Sequence, residues 1–77
     1  MNDADQLDLA RRLLGLSFHD LWILYIGLGG IHDAFTVRSH LVGTTALSDH
    51  DHDHIAIALN EAFGDVGVEA PIAYRVP

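Results

Sequence analysis

The chain has 77 residues, no cysteine, and four arginines against eleven acidic residues, which gives a formal net charge of −7 at neutral pH. This length allows one small domain spanning residues 1–77, and a chain so short buries only about 60% of the surface that its unfolded form exposes. The charge disfavours nucleic acids and anionic membranes as partners, because binding to either needs clustered basic side chains. The lack of cysteine excludes disulfides and thiolate metal sites.

The charge is also unevenly distributed. Residues 1–38 carry five acids and three arginines, which sum to −2, whereas residues 39–77 carry six acids and one arginine, which sum to −5. A basic partner would therefore prefer the second half. The N-terminus is acidic where a secretory signal needs positive charge, and the apolar run 21–31 is shorter than the roughly 20 residues that span a bilayer. We expect no membrane span and a cytoplasmic location.

The first predicted helix covers Asp3–Leu14. Its aspartates lie near the positive end of the helix dipole, and Arg11 and Arg12 lie near the negative end. The helix is predicted to stop at Gly15, where glycine permits a left-handed backbone. Its predicted apolar side consists of Leu7, Ala10, Leu13 and Leu14.

The second predicted helix begins at Ser17, where Asp20 supplies the acidic residue of a capping box. Apolar residues then occupy almost every side of the helix, which is typical of a central helix or of one that offers a face to a partner. One side holds Phe18, Leu21, Trp22, Tyr25 and Leu28, and the opposite side holds Ile23, Leu24 and Ile26. The predicted interaction surface consists of Trp22, Ile23, Leu24 and Ile26.

A strand followed by a phosphate loop is the alternative for this stretch, because residues 22–26 have good β propensity and three glycines follow. The dinucleotide fingerprint fails, since its third glycine is due at position 32, which is His32, and no second strand follows. The simpler interpretation is that Gly29 and Gly30 end the helix and form a turn.

Asp33 is predicted to cap a third helix that runs to about Val42 and stops at Gly43. With the preceding helix it has the outline of a helix-turn-helix. DNA binding is nevertheless not expected, because the helix offers a groove only Arg38, Thr36, Ser39 and His40.

Ser48 is predicted to cap a fourth helix, with Asp51 repeating the S-x-x-D pattern of Ser17. Gly64 is predicted to end it. Glycine and two prolines then make residues 65–77 an extended tail. The predicted buried stripe consists of Ile55, Ala58, Leu59, Ala62 and Phe63. The expected fold is all-α, a small bundle of about four short helices with an extended C-terminal tail.

The run of alternating aspartate and histidine at residues 49–54 is the one candidate metal site. His50 and His54 lie four residues apart on one helix face and could bind zinc or nickel, with His40 or His32 as a third ligand. The alternative is that the aspartates stabilise the helix N-terminus and the histidines are simply solvated. We favour this second interpretation, in which the histidines are solvated, and expect no cofactor. Zinc is the candidate if a cofactor does bind.

Six histidines also make the net charge sensitive to pH, because protonating all of them changes it from −7 to −1. Proteins of small net charge associate more readily. We therefore expect larger oligomers or lower solubility as the pH falls from about 7.5 to about 5.5.

The chain resembles small uncharacterised helical proteins of high-GC bacteria that share the pattern D-L-W-x-x-Y-x-x-L-G-G. The residues that carry the resemblance are Asp20-Leu21-Trp22, Tyr25, Leu28-Gly29-Gly30, His54 and Ala58-Leu59-Asn60-Glu61. The resemblance covers about residues 17–63 and implies a helical domain without a known activity.

No nucleophile or acid–base arrangement can be derived from the order of residues in so short a chain, so we expect that the protein is not an enzyme. The predicted function is a small non-catalytic protein–protein interaction or regulatory module that binds a protein partner and forms a homodimer. The alternative is a metal-binding module that uses His50, His52 and His54.

Overall fold

Four α-helices and an extended tail make up residues 2–76, the part of the chain that the computed structural model describes. Met1 and Pro77, the ends of the predicted domain and tail, lie outside the described residues. The helices are α1 (Asp3–Leu13), α2 (Phe18–Gly27), α3 (Ala34–Leu41) and α4 (Asp49–Asp65). Both α3 and α4 pack against α1 and α2, which confirms the predicted small all-α bundle.

Polar caps begin α2 and α3 as predicted. The Ser17 hydroxyl accepts the backbone N–H of Asp20 at 3.0 Å, and the Asp20 carboxylate accepts the N–H of Ser17 at 3.2 Å. This reciprocal pair satisfies two backbone donors that the helix itself cannot satisfy. The Asp33 carboxylate likewise accepts the N–H of Thr36 at 2.8 Å.

The capping box predicted at the start of α4 is only half formed. The Ser48 hydroxyl accepts the N–H of Asp51 at 3.2 Å, but the Asp51 carboxylate bonds instead to Nε2 of His32 at 2.8 Å. Asp51 therefore ties α4 to the turn before α3, a contact between residues 19 positions apart.

The predicted stop of α4 at Gly64 is wrong, because the helix continues to Asp65. A glycine ends a helix by adopting a left-handed backbone conformation. Of Gly64 and Gly67, the one with this conformation is Gly67, whose φ is 84°. Within residues 2–76, none of the helices is both long enough and apolar enough to cross a membrane.

The core forms where the apolar sides of all four helices meet. Leu13, which was predicted to lie on the apolar side of α1, is exposed instead, and so is Phe35 of α3. On a helix, Leu13 lies about 120° from the buried Leu7, and Phe35 lies about 160° from the buried Val37. The largest fully buried apolar side chains are Tyr25, Leu7, Leu21, Leu41, Ile55, Leu59 and Val37.

Candidate functional site

Three large apolar side chains of α2 remain exposed to solvent. Their exposed fractions are 51% for Ile23, 40% for Leu24 and 38% for Ile26. The opposite side of the helix is buried through Leu21 and Tyr25. The exposed three residues, called the α2 face below, therefore form an apolar surface that the core of this chain does not cover.

Trp22, the fourth residue of the predicted interaction surface, is placed differently. Its side chain is half-buried and packs against the core. Its indole Nε1 donates to the backbone carbonyl of His32 at 3.0 Å. The indole of Trp22 thus contacts the turn between α2 and α3, and the exposed part of the predicted surface is the α2 face.

Two of the three predicted metal ligands, His50 and His54, lie next to each other, but His40 does not join them. His50 is exposed on α4, and its ring centroid lies 6.3 Å from that of His54. His54 bonds through Nε2 to the carbonyl of Leu28 at 2.8 Å. His40 is buried beside His52 instead. In the described range 2–76, no three histidine, aspartate or glutamate side chains are grouped so that they could hold a metal ion.

His40 and His52 form a buried hydrogen-bonded pair, with exposed fractions of 2% and 1%. His40 Nε2 lies 2.8 Å from His52 Nδ1, and the backbone N–H of Leu47 donates to His40 Nδ1 at 3.2 Å. A backbone amide can only donate, so His40 must carry its proton on Nε2 and donate it to His52. The remaining ring nitrogen of His52, Nε2, lies 3.7 Å from the Asp3 carboxylate.

Burial is the main reason why the pKa of each of these two histidines is lowered. The neighbouring charge of His52 lowers the pKa of His40 further, and the charge of Arg75 does the same for His52. The Asp3 carboxylate acts in the opposite direction on both. The histidines predicted to be simply solvated therefore include one, His52, that is part of the core.

Arg75 joins the two ends of the described chain. Its Nε and Nη2 donate to the two carboxylate oxygens of Asp3, and the Nη2–Oδ1 distance is 2.7 Å. Its Nη1 donates to the Leu47 carbonyl at 3.3 Å. The hydrogen bond from Arg75 is the largest cause that lowers the pKa of Asp3 to about 2. The start of α1, the segment before α4 and the tail thus meet at one ion pair.

Two buried polar residues of α4 hold the tail by its backbone. The side-chain amide of Asn60 both donates to the carbonyl and accepts from the N–H of Ile72, each at 3.0 Å. The Asp53 carboxylate accepts the N–H of Arg75 at 2.7 Å and that of Val76 at 2.9 Å. We call Asp3, Asp53 and Asn60 the tail-binding surface.

A cavity of about 270 Å³ opens beside the Asp3–Arg75 pair. Asp3, His40, Arg75 and residues 43–46 are among the residues that line it. Because both ring nitrogens of His40 and the guanidinium of Arg75 are already hydrogen-bonded, these groups stabilise one another. No protein-family model, curated protein or solved structure matches the chain.

The tail-binding surface and the buried histidine pair were not predicted from the sequence. One signal for His52 was present, because it lies three and seven residues before the buried Ile55 and Leu59 and so shares their helix face. Arg75 offered a second signal, because it is the only arginine in the second half, which has six acids and no lysine. Neither signal identifies Asp3, which lies 72 positions from Arg75.

Proposed function

We propose that this protein is a small non-catalytic protein–protein interaction or regulatory module that forms a homo-oligomer through the α2 face. The observation that carries the proposal is the exposure of Ile23, Leu24 and Ile26 on one helix. Large apolar side chains grouped on a surface mark sites where another protein binds. The proposal also places the module in the cytoplasm, where a chain without cysteine is unaffected by reducing conditions.

A second copy of the chain is the partner that the charge distribution favours. Each copy has a formal net charge of −7, so two copies repel each other over most of their surface. The α2 helix has one acidic residue, Asp20, and one histidine, His19, both in its first turn, and no arginine or lysine. The α2 face is therefore a surface through which two like-charged copies can approach with little charge repulsion.

Sedimentation of the intact chain tests this proposal. We expect wild type to sediment as an oligomer, and more strongly at high salt, because ions screen the repulsion between acidic copies. Ile23→Glu should sediment as a monomer, since each copy would place a carboxylate in the interface. Circular dichroism should show that the helices of the variant are retained.

Phe35→Glu is the matched control, because Phe35 is a large exposed apolar residue on another helix, α3. It should leave the sedimenting mass unchanged. A wild type that stays monomeric at the highest soluble concentration, or an Ile23→Glu variant with the wild-type mass, would refute the proposal. The pH-dependent association expected from the six histidines is measured in the same experiment.

A further inference from the structure

The tail is bound to the helical bundle in the way that a separate peptide would be bound. Asn60 and Asp53 contact the backbone of the tail at three residues, Ile72, Arg75 and Val76. Backbone hydrogen bonds of this kind provide affinity for any extended segment. The bonds form between side chains of one helix and a segment that has no helix or strand of its own.

Two side chains of the tail add sequence specificity to these backbone contacts. The guanidinium of Arg75 matches the Asp3 carboxylate with two parallel hydrogen bonds, a geometry that lysine cannot reproduce. The Tyr74 hydroxyl accepts a hydrogen bond from Asn60 Nδ2 at 3.0 Å. The tail-binding surface therefore selects an extended segment in which arginine follows tyrosine.

The segment that connects the tail to α4 contributes little to this binding. Residues 69–71 are exposed, and Pro71 has no backbone N–H to donate. The last backbone bond before them is from the N–H of Val68 to the carbonyl of Phe63, at 2.9 Å. The tail is thus held by its own contacts rather than by the connector.

An apolar cavity of about 210 Å³ lies next to the bound tail, between α1 and the end of α4. Ile72 lines it together with Leu9, Leu13 and Phe63. The cavity leaves space beside the bound tail, and an incoming segment can insert an apolar side chain there.

We propose that the tail-binding surface is a peptide-binding site that also accepts the tail of a second copy of the chain, so that tails exchange between copies. The second copy is the favoured occupant because its tail has the tyrosine and arginine that Asn60 and Asp3 contact. A tethered tail has an effective concentration in the millimolar range. Exchange of tails between copies is therefore expected only at high protein concentration. A substitution that weakens binding of the tethered tail should make the exchange detectable.

Binding of a synthetic peptide of residues 70–76 to the intact chain tests the proposal. In wild type the peptide must displace the tethered tail, whereas in Arg75→Ala the tail has lost its ion pair with Asp3. Because the Asp3 side chain is 41% exposed, solvent screens its ion pair with Arg75. The peptide should therefore bind Arg75→Ala about 5-fold more tightly than wild type, which corresponds to about 1 kcal/mol. Arg12→Ala, which removes an exposed arginine of α1, should bind like wild type.

A nuclear magnetic resonance titration keeps the test decisive even if Arg75→Ala does not fold. In ¹⁵N-labelled wild type, excess unlabelled peptide should shift the amide signals of Ile72, Arg75 and Val76, because the tethered tail leaves the surface. A peptide with alanine at the arginine position should cause no shift. Asp53→Asn added to Arg75→Ala should weaken peptide binding relative to Arg75→Ala alone, because the Asp53 carboxylate accepts two backbone N–H groups of the bound segment.

Two outcomes would overturn the proposal. One is the absence of peptide binding to both wild type and Arg75→Ala at saturating peptide. The other is binding of equal strength to wild type, to Arg75→Ala and to the Asp53→Asn variant, since the peptide would then bind elsewhere. Neither outcome depends on the α2 face, and Ile23→Glu should bind the peptide as wild type does, so this inference and the proposed function can fail separately.

Discussion

Gly30 lies against the ring of Tyr25, and the structure has no room for a side chain at this position. A Cβ added to Gly30 would overlap Cε2 and Cζ of Tyr25 and would lie 2.6 Å from Cδ2. The ring cannot withdraw easily, because Tyr25 is fully buried and its hydroxyl accepts the backbone N–H groups of Ile31 and His32, each at 3.1 Å. Substitution of Gly30 by alanine must therefore displace either the ring or the turn.

The expected cost follows from these contacts. Overpacking of a well-packed core destabilises a protein by about 1–3 kcal/mol, and each hydrogen bond lost from the Tyr25 hydroxyl adds about 0.5–1.5 kcal/mol. We expect Gly30→Ala to lower the free energy of unfolding by about 2 kcal/mol or more. For a domain of this size, that corresponds to a fall in Tm of about 8–16 °C. Urea and thermal unfolding, followed by circular dichroism, measure both quantities.

Gly64→Ala is the matched control, because it is the same substitution inside α4, and an added Cβ there meets nothing within 4 Å. Alanine favours a helix over glycine by about 1 kcal/mol, so this variant should be as stable as wild type or more stable. If Gly30→Ala changes the free energy of unfolding by less than about 0.5 kcal/mol, or if both variants change it equally, the packing of Tyr25 on Gly30 is not as described.

Three further predictions concern the polar residues. The pKa of Asp3 is lowered from 3.8 to about 2, so its ion pair stabilises the fold above about pH 4, and this stability is lost as the pH falls through about 2. In acid unfolding, Asp3→Asn should remove about 1 kcal/mol of this pH dependence, because solvent screens the half-exposed carboxylate. Asn60→Ala should lower the free energy of unfolding by about 1–3 kcal/mol and speed proteolysis of the tail, whereas Glu61→Ala on the exposed side should do neither. Zinc calorimetry should give equal heats for wild type and for a variant with alanine at His50 and His54; a larger heat for wild type would contradict the placement of these side chains.

The helices could be predicted because the signals that define them are local. A capping hydrogen bond such as that of Ser17 to Asp20 spans three residues, and an apolar stripe repeats every three or four. Helix bounds, caps and most of the core can therefore be predicted from short stretches of the sequence. The contacts of the tail cannot, because Asp53 and Arg75 are 22 positions apart and Asp3 and Arg75 are 72 positions apart, and no local pattern specifies such pairings.

The α2 face illustrates a second limit. The sequence shows that α2 is apolar nearly all round, and helical periodicity separates Leu21 and Tyr25 from Ile23 and Leu24. It does not show which side faces the other helices. Trp22 lies between the two sides, and its placement depends on the His32 carbonyl that its indole contacts. Trp22 is therefore half-buried, unlike the other three residues of the predicted interaction surface, which are exposed.

The run of alternating aspartate and histidine at residues 49–54 shows why composition alone is a poor guide to a metal site. Successive members of one residue type are two positions apart, and a step of two residues turns about 200° around a helix. His52 consequently contacts His40 on one side of the helix, whereas His50 and His54 lie on another side, where His54 donates to the Leu28 carbonyl and His50 is exposed. The aspartates are dispersed in the same way, Asp49 to Arg75, Asp51 to His32 and Asp53 to the backbone of the tail. A metal ion needs at least three side chains that converge on one point, and the alternation places only two histidines, His50 and His54, on the same face, because His52 between them lies about 160° away. In this chain the alternation lets the first turns of α4 contact α3, the turn before α3, the end of α2 and the tail at once.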